Sequence, residues 1–309
     1  MRQDPFGNQA SDGRPRRSGL FGGIRLWVLL LFAGYAVFYW FSNRTIDPVT
    51  GEKVLIDKNL SIDEEEALGL QAYEEILSQE QPMDPNSQIA RQVREIAQRL
   101  IAKVEPVETA LAAEHGLQPL LVSRGFEWDV NVIQSEQVNA FCLPGGKMAV
   151  YSGLVPVAQN ADAMAVVMGH EIAHALLRHG AQRMASQKLT QMGQMAGAMS
   201  GMDPQQQQAV MAAMGYGVLL PYARKHETQA DEMGLTLTAA ACFDPKEAIP
   251  LWERMAQASG GQTQPEFAST HPNPGTRIEH LQALMPKAME YRQKFCDQAG
   301  SGATGATVN

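Results

Sequence analysis

The stretch His170-Glu171-Ile172-Ala173-His174 restricts this chain more than any other part of it. Successive residues of an α-helix turn by about 100°, so four steps bring the second histidine to within about 40° of the first, roughly one turn further on. Two imidazoles then converge on one point in space. The glutamate is rotated away from both, yet it reaches a water held at that point. H-E-x-x-H on a helix is therefore the pattern of a zinc site that carries its own general base. The local sequence favours the helix: Asn160 is placed to N-cap, Met164, Val167, Met168 and Leu176 recur at helical spacing, and Gly180 suits the C′ position.

A catalytic zinc takes three protein ligands and leaves one position for water, so a third ligand must lie elsewhere. A metzincin would have Gly at 177 and His at 180; this chain has Leu177 and Gly180, which excludes that class. His179 stands about 140° round a continuing helix from His174 and is expected at the surface, off the metal. A better ligand is Glu227, because Glu227 and Asp231 share a helical face at i, i+4. Glu227 would bind the metal while Asp231 accepts the second ring N–H of a ligand histidine and fixes its tautomer. Taken alone, the segment also reads as an exposed helix of mixed charge, and His226 is an alternative ligand.

With 309 residues, 45% hydrophobic and 19% charged, the chain suffices for one sizeable catalytic domain with additions, and disorder throughout is excluded. A net charge of -8 without clustered Lys and Arg argues against a nucleic-acid partner. Residues 20–41 read as one transmembrane helix: Leu26 to Phe41 carries no charge, and Arg25 can snorkel to lengthen the span across a roughly 30 Å hydrocarbon core. Arg2, Arg14, Arg16, Arg17 and Arg25 precede it, whereas Arg44, Asp47 and Glu52 follow, which puts the N-terminus in the cytoplasm and the main domain across the membrane. The exit Phe38-Tyr39-Trp40-Phe41 offers no small-x-small cleavage site, so the anchor is expected to stay. Around it we expect a disordered N-terminus over 1–19, a linker over 42–58, a catalytic domain over 59–296 and a disordered tail over 297–309. A domain across the membrane sits in an oxidising space; Cys242 and Cys296 are expected to pair there, with Cys142 a buried free thiol.

Within the domain, Ser61 and Glu64 form a capping box before a helix reaching about Gln79, and Ile89, Val93, Ile96, Leu100, Ile101 and Val104 stripe a second. Trp128, Val130 and Val132 alternate as a half-buried strand does, followed by strands over 138–143 and 148–151 that Gly145-Gly146 separates. Helices fill the remainder, with starts at Asp244-Pro245 and Pro274-Gly275. Met184 to Met214, rich in Met, Gln, Gly and Ala, reads as a loosely packed helical pair, or else as a lid over a cleft. The fold class expected is α+β, mainly helical, with a small β-sheet.

Val138-Asn139-Ala140-Phe141-Cys142-Leu143-Pro144-Gly145-Gly146-Lys147, then HEIAH, then Glu227 and Asp231 as E-x-x-x-D, then Ser269-Thr270-His271-Pro272 with Arg277, together resemble the HtpX and CAAX-prenyl-protease type of zinc metallopeptidase. The likeness runs over roughly residues 60 to 285 and implies a gluzincin fold, helices around a small sheet. It implies one zinc ion per chain on His170, His174 and Glu227, with Glu171 as base and Asp231 behind a ligand. His271 and Arg277 resemble residues that stabilise the oxyanion. Asn139, Ala140 and Phe141 resemble an edge strand that holds an extended substrate by its backbone. Two departures are a single span where other members have several, and Cys142 and Cys242 where Ala or Gly is commoner. With the anchor, the resemblance implies a single-pass bacterial inner-membrane endopeptidase whose periplasmic domain cleaves proteins in envelope quality control. A zinc-retaining, chaperone-like protein that grips clients and turns over little is the alternative, and Glu171 argues against it.

Overall fold

The computed structural model describes residues 25–215, 220–258 and 274–297. The chain begins with helix α1 (Leu26–Ser42) and a hairpin of β1 (Arg44–Ile46) and β2 (Lys53–Leu55), followed by α2 (Ile62–Gln79), α3 (Gln88–Ile101) and α4 (Val104–Glu114). Three strands come next, β3 (Asp129–Ile133), β4 (Ala140–Leu143) and β5 (Lys147–Tyr151), then the short α5 (Val155–Ala158) and α6 (Ala161–Leu176). The remainder is helical: α7 (His179–Ser200), α8 (Pro204–Met214), α9 (Leu220–Ala240), α10 (Ala248–Ala258) and α11 (Pro274–Arg292).

Helix α6 is the centre of the molecule. Asn160 caps it by accepting from the Ala163 amide at 2.8 Å. Every residue from Ala163 to Leu176 is buried, as a helix built mostly of Ala, Val, Met and Gly can be when neighbours surround it. The closest neighbour is α9, which crosses where Gly234 meets Gly169 and His170. A Cβ on Gly234 would stand 2.7 Å from His170 Cα, and one on Gly169 would stand 2.8 Å from the Gly234 carbonyl oxygen. Only hydrogen fits at either position. The Thr238 hydroxyl, 2.8 Å from the Gly234 carbonyl and 3.2 Å from that of Ala165, spans the same crossing.

On its other side α6 meets a sheet of order β3-β5-β4, in which β3 runs parallel to β5 and β4 antiparallel to it. Gly145 and Gly146, at φ of +80° and +78°, make the turn between β4 and β5. The Tyr73 hydroxyl of α2 donates to the Met148 carbonyl at 3.0 Å and fixes α2 against the sheet. β4 is thus an edge strand with α6 beneath it.

The segment 42–58, expected as an extended linker, contains the antiparallel β1–β2 pair with Thr45 opposite Val54. Its apolar run finds burial on α7: Val54 and Ile56 pack with Ala181, and Leu55 with Tyr39, Ala185 and Met192. Helix α1 lies along α7 and exposes Leu26, Trp27, Leu30, Leu31, Phe38 and Phe41 on its outer face. Among the described residues no helix is long and apolar enough to cross a membrane. The described α1 has 17 residues, about 25 Å of helix. The expected span starts at residue 20, and residues 20–24 lie outside the described ones, as do 1–19 and the tail beyond Asp297.

The Met-rich segment forms a helical pair, α7 and α8, joined through Gly201 at φ +82°. Most of α7 faces α1 and the hairpin, and its first turn reaches His174. Cys242, just past α9, and Cys296, just past α11, are joined by a disulfide with their Cα atoms 5.7 Å apart, while Cys142 is a buried free thiol.

Two predictions test this packing. Gly234→Ala should lower unfolding free energy by about 1–3 kcal/mol, exceeding the ~1 kcal/mol that Ala gains over Gly in a helix, and should weaken metal binding. A variant stabler than its parent, with unchanged metal affinity, would show the crossing to be loose. Glu108 of α4 is buried, and although the Ser123 hydroxyl donates to it at 2.6 Å, burial pushes its carboxyl up from 4.5 to about 7. Because the folded value lies above the unfolded one, folding favours the neutral acid: stability is full below pH ~4.5 and falls as pH rises through ~7. The loss is at most about 3 kcal/mol. Glu108→Gln should remove that slope, so denaturation curves of parent and variant should diverge between pH 5 and pH 8; parallel behaviour would refute it.

Candidate metal centre and cleft

The α6–α9 crossing sets Glu227, two turns before Gly234, beside the two histidines one turn apart on α6. His170 Nε2 and His174 Nε2 are 3.0 Å apart, and each lies 3.5 Å from an oxygen of Glu227. A tetrahedral ion with bonds of about 2.0–2.1 Å separates its ligand atoms by roughly 3.3 Å. The three donors therefore already stand at the edges such an ion requires, and all their ligand atoms lie within 4.8 Å of one another. Two imidazoles and one carboxylate are a donor set of catalytic zinc. His226, the alternative ligand, is turned away: its Nε2 is 3.1 Å from Gln182 Oε1.

Each histidine's other nitrogen is also engaged. His170 Nδ1 is 3.0 Å from Asp231 Oδ1, the geometry of an N–H donated to a carboxylate. Burial opposes charge on Asp231, but Arg277 and His170 outweigh it and hold its carboxyl below the usual value. Arg277 is itself buried, donating from Nη1 to Glu227 at 3.2 Å and from Nε to Asp231 at 3.1 Å, with its guanidinium 3.8 Å above the Trp252 ring. Arg277 thus bridges the Glu227 and Asp231 carboxylates, and its Nη2 also lies 3.2 Å from His170 Nε2. His271, expected beside it, lies outside the described residues.

His179 is not at the surface. It is 1% exposed, with Nδ1 2.8 Å from His174 Nδ1 and Nε2 3.3 Å from Gln229 Oε1. The expectation assumed a continuing helix. Instead α6 ends at Leu176, and Arg178 takes a left-handed conformation, φ 53°, before α7 starts at His179. Buried Glu65 of α2 holds this turn, accepting from Arg178 Nε at 2.8 Å. Gly180, read as a helix end, lies inside α7. Sequence reasoning also missed Gly169, Gly234 and Gln229; the two glycines were visible as small residues beside ligand-bearing segments, whereas Gln229 carried no signal.

Glu171 and His174 face a cleft of about 280 Å³ whose opposite wall is Asn139 to Pro144. The Tyr151 amide donates to the Asn139 carbonyl, so by antiparallel alternation Asn139 and Phe141 bond towards β5 while Ala140 and Cys142 turn their main-chain groups outwards. The Asn139 side chain takes the Ala140 N–H at 2.9 Å. The outward Ala140 carbonyl and both main-chain groups of Cys142 then line the cleft, a place where an extended peptide can add as a further strand. Burial, with the charge of nearby Glu171, pushes the Cys142 thiol well up, so it stays neutral.

The profile described as Peptidase family M48 matches residues 87–285. The mitochondrial metalloendopeptidase OMA1 of Schizosaccharomyces pombe is 32% identical over 273 residues, covering 86% of this chain and 74% of its own length. That of Saccharomyces cerevisiae is 31% identical over 291 residues, covering 90% and 79%. The beta-barrel assembly-enhancing protease of Escherichia coli is 30% identical over 156 residues, 48% of this chain and 32% of its own. These relatives are of the OMA1 and beta-barrel assembly-enhancing kinds, so the motif resemblance to HtpX and CAAX prenyl proteases holds at the level of the family. Since the matched region takes in both ligand-bearing helices, the β4 edge and α11 with Arg277, the chain belongs to Peptidase family M48 and is a metalloendopeptidase.

Proposed function

We propose that the chain is a membrane-anchored zinc endopeptidase that binds its substrate extended along β4. The observation that carries this is the donor triangle of His170, His174 and Glu227 beside the outward backbone of β4. Zinc bound there would supply a Lewis acid for the peptide carbonyl and lower the pKa of a water to about 7. Glu171, on the cleft side of α6, takes the proton of the attacking water and returns it to the leaving amine. Asp231 keeps the Nδ1 proton of His170 occupied, which leaves Nε2 for the metal. Arg277 offsets the negative charge of Glu227 and Asp231 and keeps Glu227 in place. His271 retains, through its motif, the assignment of oxyanion donor.

The membrane assignment rests on the exposed apolar face of α1, the uncharged run from Leu26 to Phe41 and the arginines before it. In this reading the N-terminus is cytoplasmic and the catalytic domain lies in the bacterial periplasm, where the disulfide is stable. A part in envelope protein quality control follows from the motif resemblance, and the name of the beta-barrel assembly-enhancing relative agrees with a role at the envelope.

Two experiments test these assignments on the full chain. Glu171→Gln should lower cleavage of an unfolded protein by 10²-fold or more with zinc content unchanged, whereas Glu227→Ala should lose the metal; a fully active Glu171→Gln would sink the mechanism. Alkaline carbonate should leave the chain in the membrane pellet, and protease added to spheroplasts should digest the catalytic domain. Release by carbonate would remove the anchor.

A further inference from the structure

The Asp231 carboxylate stands behind His170, whereas a second imidazole, that of His179, stands behind His174. His174 Nδ1 meets His179 Nδ1 at 2.8 Å, and from there a directional chain can be followed. His174 Nε2 is the nitrogen turned towards His170 and Glu227, so Nδ1 carries the proton and donates. His179 Nδ1 must then accept, which puts the His179 proton on Nε2, facing Gln229 Oε1 at 3.3 Å. With its carbonyl thus used, Gln229 points its amide nitrogen at a carboxylate oxygen of Glu52, a group that only accepts. Glu52 follows the turn of the β1–β2 hairpin and also pairs with Lys225 Nζ at 3.0 Å. Every member has one role compatible with its neighbours. His179 is further held by the His226 ring stacked on it, centroids 4.1 Å apart and planes 13° apart.

Accepting on Nδ1 while donating from Nε2 makes His179 a neutral counterpart of Asp231. The hairpin is joined directly to α1 and seated on α7, so the last acceptor belongs to the segment between the apolar helix and the domain. We propose that Glu52, Gln229 and His179 form a positioning relay that fixes the tautomer and orientation of His174, so that zinc affinity depends on how the hairpin after α1 is seated. The proposal rests on the zinc reading of His170, His174 and Glu227.

Zinc affinity of the full-length protein, measured by chelator competition, tests it, with the visible spectrum of the cobalt-substituted protein as a second readout of ligand geometry. His179→Leu removes the acceptor and should weaken zinc binding about 10–100-fold. His179→Asn, which restores an acceptor near the Nδ1 position, should recover most of that loss and the parent cobalt spectrum. Should Asn be as weak as Leu while both fold, His179 is packing only and the relay is wrong. Leu at this buried position can also fail to fold, so Glu52, 46% exposed, provides a second arm. Glu52→Gln keeps an acceptor for Gln229 but breaks the Lys225 pair, and should bind zinc like the parent; Glu52→Ala should bind it several-fold more weakly. Equal affinities for the two Glu52 variants would overturn the relay. A parent that binds no zinc would instead overturn the metal site itself.

Discussion

The backbone contact between α6 and α9 at Gly169 and Gly234 is the constraint on which the site depends. Ordinary side chains keep packed helices about 8–10 Å apart; here no Cβ intervenes, and Gly234 presses on the backbone of His170 itself. Glu227 lies two helical turns from that contact, so its distance from the histidines is set by rigid helix geometry and not by a flexible loop. A third ligand brought in this way needs little reorganisation when a metal binds. Burying so much of α6 is the condition for it, because the helix must have neighbours on every side to carry a site along its axis.

Around the donors, charge is arranged in a graded way. Glu227 and Asp231 would repel each other in a buried pocket, and Arg277 between them, stacked on Trp252, removes that repulsion. His170 is backed by the Asp231 carboxylate and His174 by the His179 imidazole, while both present Nε2 to the same point. Each is orientated by a separate part of the fold: His170 by α9, His174 by the turn that Glu65 and Arg178 hold together.

Much of this was legible in the sequence, and for identifiable reasons. The Asn160 cap, the Ser61 capping box and the HEIAH helix rest on contacts within a few residues of each other, which local patterning encodes directly. Glu227 and Asp231 could be read because i, i+4 spacing on a helix is also local. His179 could not be placed: the turn at Arg178 depends on Glu65, more than a hundred residues earlier in the chain, and nothing near position 178 announces a left-handed residue. The hairpin over 44–55 was missed for a similar cause, since strands of three residues are too short to show alternation and are defined by packing on α7. On β4 the strand itself was readable. Which of its amides face the cleft was not, because that follows from the hydrogen-bond phase with β5.

The bridge between Cys242 and Cys296 encloses α10, residues 259–273 and α11 in one covalent ring, with the helix of Glu227 leading into it. A peptidase is exposed to cleavage by its own copies. A cut anywhere in that ring would open the backbone without separating the pieces: the fragment bearing Arg277 would stay tethered to the helix bearing Glu227, and the nick would appear only after reduction. In an oxidising compartment such a nicked molecule would keep its centre assembled, whereas the same cut in the β1–β2 hairpin would sever α1 from the rest.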